Sequence, residues 1–348
     1  MVQTYATNAL VTLVVVPRER WGYARESLDS IYQHTRHPFE LVYVDGRSPR
    51  QLRCYLETQA QEKGFRLLRT EHFLTPNGAR NLGLHQVQTK YVVFVDNDVV
   101  VTPGWLDALV SCAEQTGAAV VGPLTCQERP LHTIIHCAGG ESGISIEQRD
   151  GREVRQIIER IYHQGKKVAD MRPGYCRQKT GLAEFHCVLA RTDAVRKIGG
   201  LDEGLMNTKE HVDFCMSISQ AGDTIYFEPD SLVTYIFDPP LRWSDLPYYM
   251  MRWSDRWELN SLYHLREKWN LSDEGWLSKR IAKVGWRRRF FMIRPFLRHV
   301  PIRAVRRLLE RVLVLVDKRY NANLTRNYEH HYQRQHQIRG TPSHRAAA

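Results

Sequence analysis

The sequence lacks any long hydrophobic run. No stretch of its 348 residues approaches the ~18 consecutive apolar residues of a membrane span. The N-terminal apolar segment, residues 9–17, runs into Pro17-Arg18-Glu19-Arg20 and shows no small-residue cleavage site. We therefore interpret this segment as a first strand and expect a cytoplasmic protein.

The sequence also lacks C-x-x-C pairs and glycine-rich phosphate loops. The seven cysteines include no C-x-x-C pair, so a disulfide scaffold is not predicted for a chain of this length. Neither G-x-G-x-x-G nor G-x-x-x-x-G-K-[ST] occurs, which argues against a dinucleotide dehydrogenase and a P-loop enzyme. His132 and His136 have the spacing of a zinc pair without the glutamate of H-E-x-x-H, so strand or core histidines are the favoured interpretation.

Acidic residues are scarce towards the C-terminus. From Trp276 to Ala348 there are 18 Lys and Arg against 3 Asp and Glu, a net charge of +15. The whole chain carries +11, which leaves −4 for the first 275 residues. A basic segment of this kind predicts an anionic partner, either a membrane surface or a polyanion.

The first 125 residues contain an alternation of strand and helix patterns. Strands are predicted over 10–16, 40–44, 65–70, 92–95 and 118–121, and helices over 23–34, 49–63, 78–86 and 104–116. This spacing implies right-handed βαβ crossovers and an α/β fold with a Rossmann-like, mostly parallel sheet flanked by helices. Since such sheets bind ligands at the carboxyl ends of their strands, the loops after Val16, Val44 and Val95 are the candidate site.

The most informative pattern is Tyr91–Asp98, an apolar run that ends in Asp96 and Asp98, the one Asp-x-Asp of the chain. A strand buried on both faces would deliver both carboxylates at its carboxyl end. Because Mg²⁺ is commonly held by one or two carboxylates together with substrate phosphates, a metal-bound nucleotide is the predicted ligand. The alternative is a pair of acidic residues in a solvated loop.

After residue 125 the pattern changes twice. Glycines between residues 125 and 180 predict short strands and a flexible excursion. Regular structure is predicted to return over 184–190, followed by helices over 192–198 and 209–220 and a strand over 224–227. Beyond Pro239-Pro240 the chain becomes aromatic and then basic, so we divide it into an α/β domain, 1–240, and a basic α-helical C-terminal extension, 241–348.

The extension contains a predicted basic amphipathic helix over Pro301–Tyr320. One helical stripe carries Ile302, Val305, Leu309, Val312 and Val316, and another carries Arg303, Arg306, Arg307 and Arg311. Two interpretations stay open: a helix on a membrane surface, or a helix whose stripe packs onto the rest of the protein. The aromatic and basic run Trp286–Phe291 is of a kind often found at membrane surfaces.

Residues 10 to about 237 resemble the family 2 glycosyltransferases with the GT-A fold. The segments that carry the resemblance are Leu13–Pro17, Leu41–Ser48 (LVYVDGRS), Asn77–Gly83 (NGARNLG), Val92–Asp98, Leu189–Glu203 (LARTDAVRKIGGLDE) and Glu210–Phe214 (EHVDF). The resemblance implies an inverting glycosyltransferase with Mn²⁺ or Mg²⁺ as cofactor. The enzyme would transfer a sugar from a nucleotide-diphosphate sugar donor to an unidentified acceptor, which is a glycan, a lipid-linked compound, a peptide or a small molecule.

The same resemblance assigns the donor-side residues. Asp98 and Asp96 would bind the metal, and the nucleotide sugar would contact Pro17, Asp45, Arg80, Asn81 and Asp96. The local sequence by itself would make Asp45 an ordinary turn residue and would let Arg80 pair with one of the two metal-binding aspartates.

The acceptor side departs from the family, which usually has Glu-Asp where this chain has Glu210-His211. The catalytic candidates are therefore Glu210, His211 and Asp213, with either of the first two as the base. Glu210 and Asp213 share a helix face, whereas His211 points roughly a third of a turn away. An aspartate near a helix start also stabilises the helix dipole, which is the other interpretation of Asp213. Many relatives place a histidine after the next strand; here the third metal ligand stays open between Asp238 and His211.

Two other functions are kept as alternatives. The altered base motif leaves open a non-catalytic, glycosyltransferase-like scaffold. The basic extension suggests a nucleic-acid-binding protein, although the chain has no recognised binding motif and no nucleic acid partner is expected. The favoured location is the cytoplasm, with peripheral attachment to the anionic cytoplasmic face of a membrane.

Overall fold

The computed structural model of the protein describes residues 9–236 and 241–338, with side chains as far as residue 329. Its strands are β1 Val11–Val16, β2 Phe39–Gly46, β3 Arg66–Thr70, β4 Tyr91–Asp96, β5 Val99–Val101, β6 Val120–Gln127, β7 Ile134–Cys137, β8 Gly140–Arg149, β9 Arg152–Ile161, β10 Gln178–Thr180, β11 Cys187–Arg191 and β12 Ile225–Tyr235. Ten of them form one sheet in the order β10-β12-β6-β11-β4-β1-β2-β3, with β5 paired to β12 and β7 to β6.

Parallel strands form one half of this sheet. β3, β2, β1 and β4 run parallel, and β11 is inserted antiparallel between β4 and β6. β1 and β4 are rich in valine and buried along their whole length, because structure covers both faces of the sheet. Alternate residues of β1 belong to two separate hydrophobic clusters, one on each face. The predicted α/β class is confirmed.

The helices of the first part of the chain are α1 Ala24–His34, α2 Arg50–Lys63, α3 Pro76–Leu84, α4 Trp105–Thr116, α5 Val168–Met171, α6 Thr192–Lys197 and α7 Glu210–Gln220. The C-terminal part adds α8 Leu246–Arg252, α9 Asp255–Trp269, α10 Ser278–Ile281, α11 Trp286–Arg288, α12 Arg294–Leu297 and α13 Arg303–Ile338. Tyr248 of α8 belongs to one hydrophobic cluster of the sheet and Leu265 of α9 to the other. The division of the chain at residue 240 stays a prediction, and the packing shows that both parts share a core.

The expectation of short strands between residues 125 and 180 is confirmed for β7 and β10, but the same region also contains two long strands that were not predicted. β8 and β9 are ten residues each and form a separate two-stranded hairpin. Asp150 and Gly151 join them, both with positive φ, which is the turn chemistry that a two-residue hairpin favours. Most residues of both strands are partly buried or exposed, so the segment lacks the continuous apolar runs that identify buried strands from sequence.

Helix α13 leaves its predicted apolar stripe exposed. Ile302 is 61% exposed, Val312 48% and Val316 58%, so the interpretation in which this stripe packs onto the rest of the protein was wrong. Further along the helix, Asn321 and Thr325 are buried. Within the described residues, no helix combines the length and apolar character needed to cross a membrane. All seven cysteines are free thiols.

Candidate active site

A cavity of about 830 Å³ opens at the carboxyl ends of β1 and β4. Arg18 and Glu19 enter it from the loop after β1, and Asp98 from the loop after β4. Other parts of the wall come from β9, the residues just before β11, the start of α7, the end of α8 and the segment 280–291. The loop after Val44, also expected at the site, does not line this cavity.

Asp96 ends β4 and is surrounded by basic side chains. Arg18 Nη1 lies 3.0 Å and His186 Nδ1 3.2 Å from Asp96 Oδ2, and Arg80 Nη2 lies 3.1 Å from Oδ1. Burial by itself would raise the pKa of the Asp96 carboxyl, but Arg18, His186 and Arg80 outweigh it and hold that pKa well below its usual range. Asp96 is therefore ionised, and both of its oxygens are engaged.

Asp98 has the opposite environment. It is 2% exposed, and its Oδ1 has no hydrogen-bond partner among the described residues. Burial, with the Asp96 charge as a smaller contribution, raises the pKa of Asp98 to about 8. A buried carboxyl oxygen without a partner is costly, and a cation at this position would satisfy it.

His186 supplies a third group beside the two aspartates. Possible ligand atoms of Asp96, Asp98 and His186 lie within 4.8 Å of one another, and all three residues are buried. Burial, assisted by Arg18, lowers the pKa of His186 to about 4, so the imidazole is neutral, which is the form that binds metals. Its ring stacks on Tyr235 at a centroid distance of 3.8 Å. The donor set of two carboxylates and one imidazole fits a divalent cation.

Of the two candidate third metal ligands, Asp238 and His211, the structure describes only His211. Asp238 lies outside the described residues. His211 is beyond this group, with Nε2 3.1 Å from Glu159 and 3.4 Å from Glu184. A second possible ligand set, His136, Glu184 and His186, shares His186 with the first, but His211 competes for the Glu184 carboxylate.

Arg80 and Asn81 of α3 lie behind the site rather than in the cavity wall. Arg80 is fully buried against the Phe185 ring, 4.1 Å from its centroid, while it pairs with Asp96. Asn81 donates to the Leu201 carbonyl at 2.7 Å and accepts from the Leu201 amide at 2.9 Å. Arg80 thus braces the carboxylate at the end of β4, as the local sequence allowed, and Asn81 fixes the segment before α7.

Asp45 and Pro17 lie side by side on the next part of the sheet edge. Asp45 Oδ1 accepts from the Ser48 amide at 2.9 Å and Oδ2 from the Ser48 hydroxyl at 2.9 Å. Arg69 on β3 also pairs with Asp45. A Cβ added to Gly46 would be 3.3 Å from Pro17 Cγ, so glycine lets the two loops approach closely. The nucleotide contacts expected of Asp45 and Pro17 stay a prediction.

His211 takes part in a buried network of charged side chains. Glu159 on β9 pairs with His211, with Lys209 and, at 3.4 Å, with Arg280. Burial would lower the pKa of His211, but the carboxylates Glu184 and Glu159 outweigh it and raise that pKa above its ordinary value of 6.5. Glu184 and Glu159 therefore favour the protonated form of His211, which weakens it as a proton acceptor.

The two acids of α7 face different surroundings. Glu210 lines the cavity, 6% exposed, with Arg252 Nη2 3.7 Å from its Oε1. Asp213 lies outside this cavity and accepts from Lys268 Nζ and Trp269 Nε1, both at 2.8 Å. The structure thus brings Glu210 and His211 together with Asp98 in one cavity and joins Asp213 to α9 instead.

Comparison with known proteins identifies the first part of the chain. Residues 12–136, which include Asp45, Arg80, Asp96 and Asp98, match the family model described as Glycosyl transferase family 2. Over these residues the chain is similar to the family 2 glycosyltransferases. The sequence resemblance is confirmed over these residues.

Two relatives of the glycosyltransferase domain illustrate its range. The chain is 27% identical over 176 residues to the pre-mycofactocin glycosyltransferase of Mycobacterium tuberculosis, and the match covers 51% of the chain and 33% of that protein. It is 31% identical over 114 residues to the O-antigen biosynthesis protein RfbC of Myxococcus xanthus, which covers 32% of the chain and 9% of that protein. The chain thus spans about a third of the mycobacterial relative.

Solved structures also show similarity. GalNAc-T7, crystallised with UDP, GalNAc and Mn²⁺, aligns with a TM-score of 0.49 at 17% identity over 81% of this chain and 58% of that one. TarS 1–349 of S. aureus aligns with a TM-score of 0.46 at 16% identity over 84% of this chain and 75% of that one.

Proposed function

We propose that the protein is an inverting, metal-dependent glycosyltransferase that transfers a sugar from a nucleotide-diphosphate sugar to an acceptor. The observation that supports this most directly is the buried Asp98 carboxyl, without a hydrogen-bond partner among the described residues, beside His186 and Asp96 at the wall of a large cavity. Inversion is expected from the family resemblance.

Asp98, Asp96 and His186 would hold the cation, which when bound acts as a Lewis acid on the departing diphosphate. The imidazole favours Mn²⁺ over the harder Mg²⁺. Around the cavity, Arg18, Arg280 and Arg287 add positive charge towards the diphosphate. Arg287 is oriented by the Trp253 ring, 4.0 Å from its guanidinium carbon. Asp45 and Pro17 would bind the nucleotide on the adjoining edge of the sheet.

Glu210 is the proposed base. It lines the cavity, and its nearest cation, Arg252, is shared with Glu19, whose Oε2 lies 3.2 Å from Arg252 Nε. Glu184 and Glu159 favour the protonated form of His211, so its proposed role is to position these two carboxylates. Asp213 would support α7 through α9 and take no part in proton transfer.

The Asp98→Asn variant tests the proposal. It should abolish transfer and metal-dependent nucleotide binding while the protein stays folded, because the amide replaces a carboxyl of the same shape. Asp150→Asn, an equivalent change in the exposed β8–β9 turn, is the matched control. Unaltered transfer by the Asp98 variant would contradict the metal site.

A screen of nucleotide-diphosphate sugars with Mn²⁺ or Mg²⁺ by thermal shift would identify the donor, since a ligand that binds the native state raises its apparent stability. Release of nucleoside diphosphate from the matching donor separates an enzyme from a scaffold, which would release none. NMR of the product should show the anomeric configuration opposite to that of the donor. The cytoplasmic, membrane-attached location stays a prediction from the sequence.

A further inference from the structure

The first half of α13 presents an apolar face to solvent. Eight aliphatic residues are between 37% and 63% exposed: Ile302, Val305, Leu308, Leu309, Val312, Leu313, Leu315 and Val316. At ~100° per residue they fall on one continuous arc of the helix. Phe296, just before the helix, is 73% exposed. A contiguous apolar surface of this size on a folded protein marks an interaction site.

The helix is attached to the protein through its opposite side. Glu310 pairs with Arg289 at 2.7 Å and with Arg294 at 3.1 Å, and Asp317 pairs with the buried Arg288 at 3.0 Å. At the same ~100° spacing, Glu310 and Asp317 project away from the middle of the apolar arc. The ion pairs therefore hold the apolar face outwards.

Basic residues flank this face. Between Arg294 and Tyr320 the sequence has eight Lys and Arg against two acidic residues, and both acidic residues are used in the ion pairs described above. At the same ~100° spacing Arg306 and Arg311 border the apolar arc, whereas Arg303 and Arg307 project to the opposite side of the helix; all four are exposed. Two copies of this face would bring their arginines together and repel each other, whereas an anionic surface would attract them.

We propose that this face of α13 docks on an anionic lipid bilayer, with its aliphatic residues at the acyl boundary and its arginines at the headgroup phosphates. The adjoining segment connects the face to the cavity. Trp286 lines the cavity and stacks on Phe290, which is 41% exposed. Arg289, next to Phe290, is paired to α13 through Glu310. Docking would thus place the cavity mouth close to the membrane surface.

The test is co-sedimentation of the full chain with vesicles of phosphatidylcholine containing phosphatidylglycerol, compared with phosphatidylcholine alone. We expect binding to the anionic vesicles that weakens with salt. The double variant Leu308→Glu/Val312→Glu should reduce binding about tenfold or more, because it places two charges at the acyl boundary. Arg306→Gln/Arg311→Gln should reduce the preference for anionic vesicles.

Ile146→Glu, an equally exposed aliphatic residue on β8, is the matched control and should bind vesicles like the wild type. Sedimentation velocity measures self-association of the same proteins. The proposal would be overturned if the wild type did not bind anionic vesicles at low salt, or if the Leu308/Val312 variant bound them normally. It would also be overturned if the wild type were a dimer and this variant a monomer. Donor binding by the Leu308→Glu/Val312→Glu variant is measured separately. This measurement distinguishes a failure of the membrane proposal from a failure of the proposed enzyme activity.

Discussion

At the scale of single residues, the two ionisable neighbours at the start of α7 are distinguished by their partners. Glu210 has one cation at 3.7 Å, whereas His211 lies between two carboxylates. The Glu210→Gln variant removes the proposed base and should lower turnover by about 10²–10⁴ with donor binding retained. Steady-state kinetics and donor titration check this. Wild-type turnover by the Glu210→Gln variant would show that another residue of the cavity is the base.

His211 should also give a pH-dependent contribution to stability. Its pKa is raised in the folded protein, so its ion pairs contribute fully below the unfolded pKa of about 6.5. The contribution is lost as pH rises through the higher folded pKa. The free energy of unfolding of the wild type should therefore fall, relative to His211→Asn, as pH rises from 6 to 9. Denaturant unfolding with chelator present measures this difference; parallel curves would contradict the charged state of His211.

His186 shows what the sequence could not provide at this scale. Asp96 and Asp98 are recognisable because they end one local apolar strand. His186 lies 90 residues away and reaches them because β11 is inserted antiparallel beside β4, where the Asp96 amide donates to the His186 carbonyl at 2.9 Å. Regular structure over 184–190 was predicted, but the partner and direction of a strand there depend on tertiary packing, so the side chains that meet across it were not predictable.

At the scale of elements, Arg288 joins three C-terminal helices. Its side chain is fully buried on α11, with Nη2 2.6 Å from Asp255 of α9 and 3.0 Å from Asp317 of α13. Arg288→Met should destabilise the protein by about 3 kcal/mol, because it leaves two carboxylates without their cation. The control Arg289→Met removes an exposed pair and should cost less than about 1 kcal/mol. Equal unfolding midpoints of the two variants would show that Arg288 does not hold the helices together.

The elements themselves were predicted with uneven success, for a physical reason. Valine-rich strands such as β1 and β4 are recognisable as uninterrupted apolar runs, because both of their faces are buried. The β8–β9 hairpin was missed because its strands are half-solvated and rich in charge, and only the Asp150-Gly151 turn signals it. The helix over 301–320 was predicted, but α13 extends to Ile338.

At the scale of the whole molecule, the C-terminal extension is part of the cavity and of the core. Arg280 and Trp286 line the cavity, and Leu277, Ile293 and Leu297 are buried. Removal of residues 276–348 should therefore lower the melting temperature strongly and abolish donor binding. Thermal unfolding and donor titration of the truncated chain check this. A truncated chain that keeps the wild-type melting temperature would show that the α/β domain is independent.

The outward-facing side of α13 also affects how the protein behaves during preparation. Sulfate salts strengthen apolar contacts, whereas any salt screens the arginines. High concentrations of ammonium sulfate should therefore release the protein from acidic lipids and at the same time promote its precipitation. A mild detergent, which covers the aliphatic side chains without neutralising the arginines, would be the additive of choice in purification.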